Sequence, residues 1–290
     1  MLQPKDVERI AKEAQPIATY LPGVETELLT RSDEPKISIK SLPELNKRLW
    51  GLRPGLTVVG ARTSQGKSAF SLQIAHDVAD QSHHVLFLSL EMNVESLIER
   101  LFCNVMKVNN YDTLTGKIKY DEAIKHKWET FKGILGRTKL LITNGIGKSF
   151  QEVNFMIEAL DPKPKMVVVD YIQAVRQTEN ERIELNEYIR HFRALCVKYQ
   201  IAGVLCSQIN RGALQEKNYE PHMGLLKSTG VLEEHADTCI LLHWQHFYTY
   251  KEQKQNEFKI IIAKQRNGRT GEYMVNFFPE FYRFEEMEVV

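Results

Sequence analysis

Short runs of apolar, often β-branched residues alternate along the chain with longer amphipathic stretches. Runs of four to eight such residues are typical of strands, whereas apolar positions three or four residues apart are typical of helices. In the stretch that begins at Lys67, for example, Phe70, Ile74 and Val78 follow helical spacing. The pattern predicts strands at Thr57–Gly60, His84–Leu90, Lys139–Thr143, Met166–Asp170 and Ile201–Ser207, and helices at Lys67–Asp80, Val94–Lys107, Asp121–Leu135, Phe150–Leu160 and Glu184–Tyr199.

The C-terminal part of the chain changes character, because its apolar runs follow one another without a long amphipathic stretch between them. Strands are predicted at Thr238–Trp244, Phe258–Lys264 and Tyr273–Phe278, and the turn 267–271 joins the last two as a hairpin. Alternating strands and helices indicate a parallel sheet, whereas a hairpin joins antiparallel strands. The predicted fold class is therefore α/β, with a mainly parallel central sheet and antiparallel C-terminal strands.

Residues 1–36 stand apart from this pattern. A short charged helix is predicted at about Lys5–Glu13, followed by a connector that contains prolines and charges and has no clear periodicity. This segment is too short to bury a core of its own. We therefore divide the chain into an N-terminal arm or linker helix, residues 1–36, and one α/β domain, residues 37–290; a frayed terminus is the alternative to a functional arm.

The composition narrows the function only slightly. Of 290 residues, 43% are hydrophobic and 26% are charged, which is typical of a globular protein with a sizeable core. The net charge of +1 does not indicate nucleic-acid binding, although a local basic loop repeated around an assembly would still provide it. The four cysteines form no Cys-x-x-Cys pair, and the sequence shows neither a signal peptide nor an apolar stretch of membrane-spanning length. These features predict a cytoplasmic protein with reduced thiols and no zinc.

The strongest candidate for a functional site is the eight-residue string at 61–68, which lies between a predicted strand and a predicted helix. This context indicates a phosphate-binding loop, in which backbone N–H groups and the helix N-terminus cradle the phosphates; a glycine-rich turn that happens to contain lysine is the alternative. Lys67 would reach the β- and γ-phosphates, and the Ser68 hydroxyl would bind Mg²⁺. The first position is alanine instead of the usual glycine. The predicted nucleotide-binding residues are Ala61, Arg62, Thr63, Ser64, Gln65, Gly66, Lys67 and Ser68.

Three polar residues lie at the ends of other predicted strands. Asp170 ends a buried run, where an aspartate of a P-loop fold holds Mg²⁺, usually through water; a capping aspartate is the alternative. Glu91 follows the strand after the P-loop helix, and a glutamate there can orient or deprotonate the attacking water. Gln208 follows a further strand, and its amide can sense the γ-phosphate by hydrogen bonding. Taken singly, Glu91 is a weak signal, because a glutamate at the end of a strand is more often a solvated surface residue, and Gln208 alone is an equally weak signal.

Five short strings occur in an order that resembles the DnaB-type replicative helicases, whose motor domain is RecA-like. The resemblance spans roughly residues 38–286 and is most specific at 263–268, because recombinases and clock-type RecA relatives lack that string. It implies a RecA-like P-loop NTPase fold and a helicase that uses ATP and Mg²⁺ to move on single-stranded DNA as a homohexameric ring, in the 5′→3′ direction. The strings are Arg62-Thr-Ser-Gln-Gly-Lys-Ser68, Ser89-Leu-Glu-Met92, Val169-Asp-Tyr-Ile-Gln173, Ser207-Gln-Ile-Asn-Arg211 and Ala263-Lys-Gln-Arg-Asn-Gly268.

The resemblance also implies a role for each matching residue. Glu91 is similar to the family's catalytic glutamate, Asp170 to its Walker B acid, and Gln208 to the glutamine that couples nucleotide state to the DNA loops. Lys264 and Arg266 resemble the piston lysine and the arginine finger that reach a neighbour's γ-phosphate. Alternate residues of a strand share a face, and no acid lies beside these two in sequence, so an incoming phosphate would neutralise them. Two solvated cations on an edge strand are the alternative.

The segment Asn210–Thr229 is predicted to be long and irregular, and such loops in compact domains are usually functional or disordered. In the family that the chain resembles, the corresponding segments line a central channel and contact the DNA backbone. The family's Arg-Glu-Ser-Gly string reads Lys-Ser-Thr-Gly here, so lysine replaces the arginine and serine replaces the acid. The predicted DNA-binding residues are Arg211, Lys227, Ser228 and Gly230, whereas an ordinary surface loop is the alternative.

Full-length bacterial members of the family carry an N-terminal domain that docks primase, and this chain has no room for it. The chain therefore resembles a truncated or phage-type member, at work in a bacterial cytoplasm or an infected host. Residues 1–36 would pack on the adjacent subunit, and a separate primase and a helicase loader are the expected partners, with no membrane. Two other functions stay open: a non-unwinding RecA-like ATPase that loads or regulates a partner, and a recombinase that forms open filaments.

Overall fold

The structure is a computed structural model that describes residues 16–30, 37–172, 181–216, 219–226, 229–249 and 255–287. The chain forms two compact units, Met1–Lys36 and Ile37–Val290. In the described part of the first unit, a 3₁₀ helix at Ile17–Tyr20 leads into the α-helix Leu21–Leu29, called α1.

Helix α1 corrects the sequence analysis, which predicted a connector without periodicity at this position. Pro22 lies in the first turn of the helix, where its fixed φ and missing N–H are tolerated, so a residue that suggested a break instead marks a helix start. Leu21, Val24 and Leu28 form an apolar stripe on α1, and their exposed fractions are 58%, 47% and 54%. The helix predicted at about Lys5–Glu13 lies outside the described residues.

The second unit is built on one sheet of nine described strands. The strands are β1 Gly55–Ala61, β2 Val85–Ser89, β3 Leu140–Asn144, β4 Met166–Asp170, β5 Ala202–Gln208, β6 Thr238–His243, β7 Glu257–Gln265, β8 Gly271–Phe278 and β9 Arg283–Glu286. Their order in the sheet is β3-β2-β4-β5-β1-β6-β7-β8-β9. The first six are parallel, and β7, β8 and β9 join antiparallel. The predicted fold class is confirmed.

The α-helices of this unit follow the predicted pattern where they are long. They are α2 Pro43–Leu49, α3 Lys67–Asp80, α4 Val94–Met106, α5 Asn110–Leu114, α6 Glu122–Leu135, α7 Phe150–Ala159, α8 Glu181–Lys198, α9 Thr229–His235 and α10 His246–Thr249. Short 3₁₀ helices are described at Lys117–Lys119, Arg211–Gln215, Met223–Leu225 and Pro279–Phe281. In the part of the chain that the structure describes, no helix is both long enough and apolar enough to cross a membrane.

Side-chain caps fix where several helices begin. The Asn93 side chain accepts a hydrogen bond from the Ser96 N–H at 2.9 Å and opens α4. Ser149 and Glu152 form a reciprocal capping box at the start of α7. The short elements α2, α5, α9, α10 and β9 were not predicted, because a helix of two turns or fewer and a strand of four residues show too little of their period.

The core lies on both faces of the sheet. Strands β1, β2 and β4 are buried at every position, so their side chains alternate between two apolar clusters. One cluster includes Phe70 of α3 and Phe131 of α6, and the other includes Val153 of α7 and Ile189 of α8. This three-layer arrangement explains why the central strands read as continuous apolar runs.

The segment after β5 is more ordered than the sequence predicted. Its described residues contain the two 3₁₀ helices Arg211–Gln215 and Met223–Leu225 and an antiparallel bridge between Ile209 and Leu226. Thr229 is not the end of a loop but the first residue of α9. The turns are held by local hydrogen bonds, such as the one from the Gly212 N–H to Asn210 Oδ1 at 2.9 Å, which period-based analysis does not detect.

Candidate active site

The carboxyl ends of four parallel strands bring several of the predicted catalytic residues to one side of the sheet. Ala61 at the end of β1 lies beside Gln208 at the end of β5, and Ser89 at the end of β2 lies beside Asp170 at the end of β4. Ligands of open α/β sheets bind outside these carboxyl ends. The eight-residue string, Glu91, Asp170 and Gln208 therefore lie together, as the sequence predicted.

Gly66 shapes the turn from β1 into α3. Its φ is +75°, which a side chain rarely tolerates, and a Cβ there would lie 2.9 Å from the ring of Phe284. Gly66 is also the N-cap of α3, so no side chain covers the first turn of that helix. The N–H groups of this turn have no intrahelical partner and can bind an anion together with the helix dipole.

A cleft of about 380 Å³ opens in front of this turn, a volume in the range of ligand pockets. Of the predicted nucleotide-binding residues, Ala61 and Gln65 are buried and do not line it, whereas the other six do. The lining residues are Arg62, Thr63, Ser64, Gly66, Lys67, Ser68, Ala69, Glu91, Met92, Arg100, Tyr171, Gln208, Trp244, Phe277, Pro279 and Tyr282.

Lys67 and Asp170 form the polar base of the site. Lys67 Nζ lies 3.7 Å from Asp170 Oδ1 and 4.1 Å from the centre of the Tyr171 ring. Asp170 is only 2% exposed, and Oδ1 accepts no hydrogen bond from the described residues. Lys67 offsets part of the charge of this buried carboxylate, and a hydrated cation beside Oδ1 would donate the hydrogen bonds that it lacks.

The donor set fits Mg²⁺ better than a transition metal. The described residues contain no group of three or more His, Cys, Asp or Glu that could hold a metal ion alone. Mg²⁺ is usually held by one or two protein oxygens, with water and phosphate oxygens completing the shell. Asp170 and the Ser68 hydroxyl are the residues that would hold it.

Glu91 projects from a fixed backbone into open solvent. The Leu90 N–H donates to the Asp170 carbonyl at 2.7 Å, and Ser89 Oγ bonds both the N–H and the carbonyl of Met92. The Glu91 side chain is exposed and lines the cleft. Burial raises the pKa of Tyr171, and the charges of Glu91 and Asp170 raise it further. The exposed Glu91 carboxylate can accept a proton from water in the cleft.

Gln208 connects the phosphate loop to β5. Its Nε2 donates a hydrogen bond to Thr63 Oγ1. Arg62 adds a second link, because its guanidinium donates to the Asn210 carbonyl at 3.3 Å. Movement of the loop around a phosphate would therefore displace Gln208 and the start of the segment that follows β5.

One wall of the cleft is aromatic, which was not predicted from the sequence. Trp244 and Phe277 meet edge to face at 5.3 Å, and the Arg100 guanidinium lies 4.9 Å from the centre of the Tyr282 ring. The Asn104 amide donates to the Tyr282 carbonyl at 2.7 Å and holds this wall against α4. Such rings can stack on a nucleobase. The signal in the sequence was the aromatic string 277–284, at the start of which two phenylalanines precede a proline.

Lys264 and Arg266 lie far from this cleft. Lys264 pairs with Cys239 at the beginning of β6, and the Arg266 N–H donates to the Asp237 carbonyl at 2.9 Å. Ala61, where the phosphate loop begins, pairs instead with Leu242 near the other end of β6. At ~3.3 Å per residue, roughly 17 Å of strand separates the levels of Asp237 and Leu242. The two cations thus lie toward the amino ends of the parallel strands, whereas the chain's own phosphate loop lies at their carboxyl ends.

The two cations meet at the end of one helix. Lys264 Nζ donates to the Glu233 carbonyl at 2.5 Å, and Arg266 donates to the Glu234 carbonyl at 2.8 Å, so both bind the C-terminal carbonyls of α9. This position is favourable for positive charge. Burial lowers the pKa of Lys264, and the charge of Arg266 lowers it further.

Arg266 has an acidic partner, contrary to the expectation from its sequence neighbours. Its guanidinium lies 3.3 Å from Asp237 Oδ1, and Arg193 donates to the same carboxylate at 2.8 Å. Burial opposes ionisation of Asp237, but the hydrogen bond from Arg193, that from the Leu56 N–H and the charges of both arginines lower its pKa overall. The partner was missed because it is distant in sequence and adjacent only through β6–β7 pairing.

The predicted DNA-binding residues are only partly described. Gly230 lies exposed in the first turn of α9. Arg211 begins a 3₁₀ helix, but its side chain, Lys227 and Ser228 lie outside the described residues. Their contact with DNA stays a prediction.

A glycine-formed phosphate loop before a helix, with a buried aspartate on a neighbouring strand of an α/β sheet, defines the class of P-loop nucleotide-binding proteins. Within that class, a family model described as the DnaB-like helicase C terminal domain matches residues 39–286. The chain belongs to this family.

Similar proteins agree with this assignment. The chain is 30% identical over 253 residues to the replicative DNA helicase DnaC of Bacillus subtilis and to the replicative DNA helicase DnaB of Geobacillus stearothermophilus, and each match covers 84% of this chain and 55% of the relative. The chain thus spans about half the length of these relatives. A solved structure described as an ATPase domain superposes with a TM-score of 0.85 at 22% identity, covering 95% of this chain and all of that domain.

Proposed function

We propose that this chain is an ATP-driven replicative DNA helicase motor that translocates on single-stranded DNA, 5′→3′, as a homohexameric ring. In this proposal ATP binds in the cleft at the phosphate loop of one subunit, and Lys264 and Arg266 of the next subunit approach its γ-phosphate. The family assignment supports the activity, since the relatives named above are replicative DNA helicases.

The position of the paired cations carries the proposal. Lys264 and Arg266 lie toward the amino ends of the parallel strands, and the chain's own phosphate loop lies at their carboxyl ends. An arginine side chain is too short to cross roughly 17 Å, so a phosphate that Arg266 contacts must come from another chain. Identical subunits that contact each other through two different surfaces close into a ring when the rotation allows it.

The residues of the cleft divide the chemistry among them. Lys67 and the first turn of α3 would bind the phosphates, and Ser68 and Asp170 would hold Mg²⁺, which supplies charge neutralisation when bound. Glu91 would orient the attacking water and accept its proton. Through its hydrogen bond to Thr63, Gln208 would couple the presence of the γ-phosphate to the position of the segment after β5.

The proposed partners follow from the family and from one similar structure. That structure, of a DnaB-like replicative helicase and its interactions with primase, superposes with a TM-score of 0.84 at 22% identity and is covered over 68% of its chain. We propose a separate primase and a helicase loader as partners of this chain, and a bacterial or phage-infected cytoplasm as its location. Single-stranded DNA would contact Arg211, Lys227, Ser228 and Gly230.

A forked-duplex assay tests the proposal. With ATP and Mg²⁺, the full chain is expected to hydrolyse ATP faster when single-stranded DNA is added and to displace the strand of a fork with a 5′ single-stranded tail. Lys67→Ala is the matched control, because it removes the phosphate contact and should abolish both activities. DNA-stimulated hydrolysis without strand displacement would instead support a non-unwinding ATPase, and open filaments on DNA would support a recombinase.

The apolar stripe of α1 is expected to support assembly. Apolar side chains this exposed indicate a contact surface. The double variant Val24→Asp, Leu28→Asp should lower the hexamer fraction in native mass spectrometry with an ATP analogue and DNA, because charge is costly in an apolar interface. Thr26→Asp, which adds one negative charge on the opposite side of the helix, is the control. If both variants assemble like the unmodified chain, α1 has no role in the ring.

A further inference from the structure

The Asp237 carboxylate lies between two arginines from distant parts of the chain. Arg193 of α8 binds both carboxylate oxygens, because its Nη2 donates to Oδ1 at 2.8 Å and its Nε donates to Oδ2 at 3.2 Å. Arg266 Nη1 lies 3.3 Å from Oδ1, and the Leu56 N–H donates to Oδ2 at 2.9 Å. Each oxygen therefore has two partners, and the paired contact with Arg193 fixes the orientation of the carboxylate.

The backbone around Asp237 holds this carboxylate between two strands. The Asp237 N–H donates to the Leu56 carbonyl of β1 at 2.8 Å, and the Asp237 carbonyl accepts from the Arg266 N–H at 2.9 Å. Gly55 leaves room for the side chain, because its φ is +127° and a Cβ there would lie 2.5 Å from Asp237 Oδ2. Asp237 thus connects β1 to the residue that directly follows β7.

The Arg266 guanidinium is held from two sides but keeps donors for a further ligand. Its Nη2 donates to the Glu234 carbonyl at 2.8 Å, while its Nη1 faces Asp237. A guanidinium carries five N–H donors, so these two contacts leave others for an oxyanion. The Arg266 side chain is 43% exposed. The contacts therefore fix its direction without covering it.

Arg193 keeps Asp237 from cancelling the charge of Arg266. A single carboxylate balances only one of the two arginines that it contacts, so the three side chains together retain a positive charge. Lys264, which binds the neighbouring carbonyl of α9, adds to it. The local charge thus favours an incoming phosphate, which an isolated pair of Asp237 and Arg266 would not.

We propose that Asp237 and Arg193 are positioning residues, which hold the Arg266 guanidinium in the orientation that it needs to meet the γ-phosphate of the neighbouring subunit. The inference rests on the proposed function, because only another chain can supply that phosphate. Neither residue is among those that line the chain's own cleft, so both act through Arg266. A donor that is fixed in advance costs no reorganisation when charge develops on the phosphate.

ATP turnover of two variants of the full chain tests the inference. Asp237→Asn keeps the shape and an oxygen that can accept from the Leu56 N–H, but it loses the charge that binds both arginines. It should lower DNA-stimulated turnover by about 10²-fold, the loss that a displacement of about 1 Å can cause, and leave the affinity for ATP unchanged. Arg193→Ala releases the carboxylate to Arg266 alone and should act in the same way. Arg190→Ala, at an exposed arginine of the same helix, is the control and should turn over ATP like the unmodified chain.

Mixed rings separate positioning from a general loss of structure. In equal mixtures with Lys67→Ala chains, assembled on DNA, Asp237→Asn chains should regain turnover, because their phosphate loop is intact and the other chain supplies a correctly held Arg266. Mixtures of Asp237→Asn with Arg266→Ala chains should not regain it, since neither chain then carries a working Arg266. The same two mixtures are made with Arg193→Ala, which gives the answer if Asp237→Asn does not fold. Recovery in both mixtures or in neither, or unmodified turnover of the single variants, would overturn the inference.

A third mixture distinguishes this failure from failure of the proposed function. If rings of Lys67→Ala and Arg266→Ala chains regain turnover while those of Lys67→Ala and Asp237→Asn chains do not, the shared site stands and the positioning role is wrong. If neither mixture regains turnover, in rings shown by native mass spectrometry to contain both chains, the shared site itself is wrong and the positioning role is wrong with it.

Discussion

Arg266→Ala is expected to lower DNA-stimulated ATP turnover by roughly 10³-fold, the lower range found for arginine fingers, without changing the affinity of the chain for ATP. The reason is geometric. Arg266 lies toward the amino ends of the parallel strands, whereas the chain's own phosphate loop lies at their carboxyl ends. Arg266 therefore cannot help this chain to bind nucleotide. In the proposed ring it would stabilise charge on the neighbour's γ-phosphate only as the bond breaks. Steady-state ATPase assays and a fluorescent-nucleotide titration measure the two quantities.

The same turn offers a matched control for this variant. Arg269 is exposed and follows Arg266 by three residues, so Arg269→Ala removes an equal charge from the turn. It should turn over ATP like the unmodified chain. Arg266→Lys keeps the charge but loses the paired contacts to Glu234 and Asp237, and an intermediate rate is expected. Equal rates for Arg266→Ala and the unmodified chain would remove the basis for a shared site.

Glu91→Gln should lower the hydrolysis rate by about 10² to 10⁴-fold and leave ATP binding and assembly intact. The amide is nearly the same size as the carboxylate, and the Glu91 side chain is exposed, so the fold has little reason to change. What is lost is the group that can accept a proton from water in front of the phosphate loop. Single-turnover hydrolysis of prebound ATP measures the chemical step directly.

Glu95→Gln is the control for this second variant. Glu95 is exposed in the first turn of α4, four residues from Glu91, and does not line the cleft. Its neutralisation should leave hydrolysis unchanged. A Glu91→Gln chain that hydrolyses ATP at the unmodified rate would show that another group handles the water.

Local patterns were sufficient to predict the elements that carry the phosphate site. The helix Lys67–Asp80 and the strand Met166–Asp170 have the predicted bounds, because a long helix shows its period and a doubly covered strand is continuously apolar. The convergence of Glu91, Asp170 and Gln208 also followed from the sequence, since parallel strands end at one edge.

Features made by distant pairing could not be predicted in this way. Asp237 meets Arg266 only because β6 and β7 are antiparallel neighbours. The aromatic wall likewise needs the short strand β9 and its hydrogen bonds to Gln73, which has no signature in sequence. Helix α1 was missed because Pro22 and Gly23 suggested a break.

Mixing two inactive variants tests the shared site most directly. Chains with Lys67→Ala keep Arg266, and chains with Arg266→Ala keep the phosphate loop. Mixed in equal amounts and assembled with DNA, they should regain ATP turnover, because about a quarter of the interfaces between random neighbours would pair an intact loop with an intact Arg266. Rings shown by native mass spectrometry to contain both chains, yet no more active than either variant alone, would contradict a site built from two subunits.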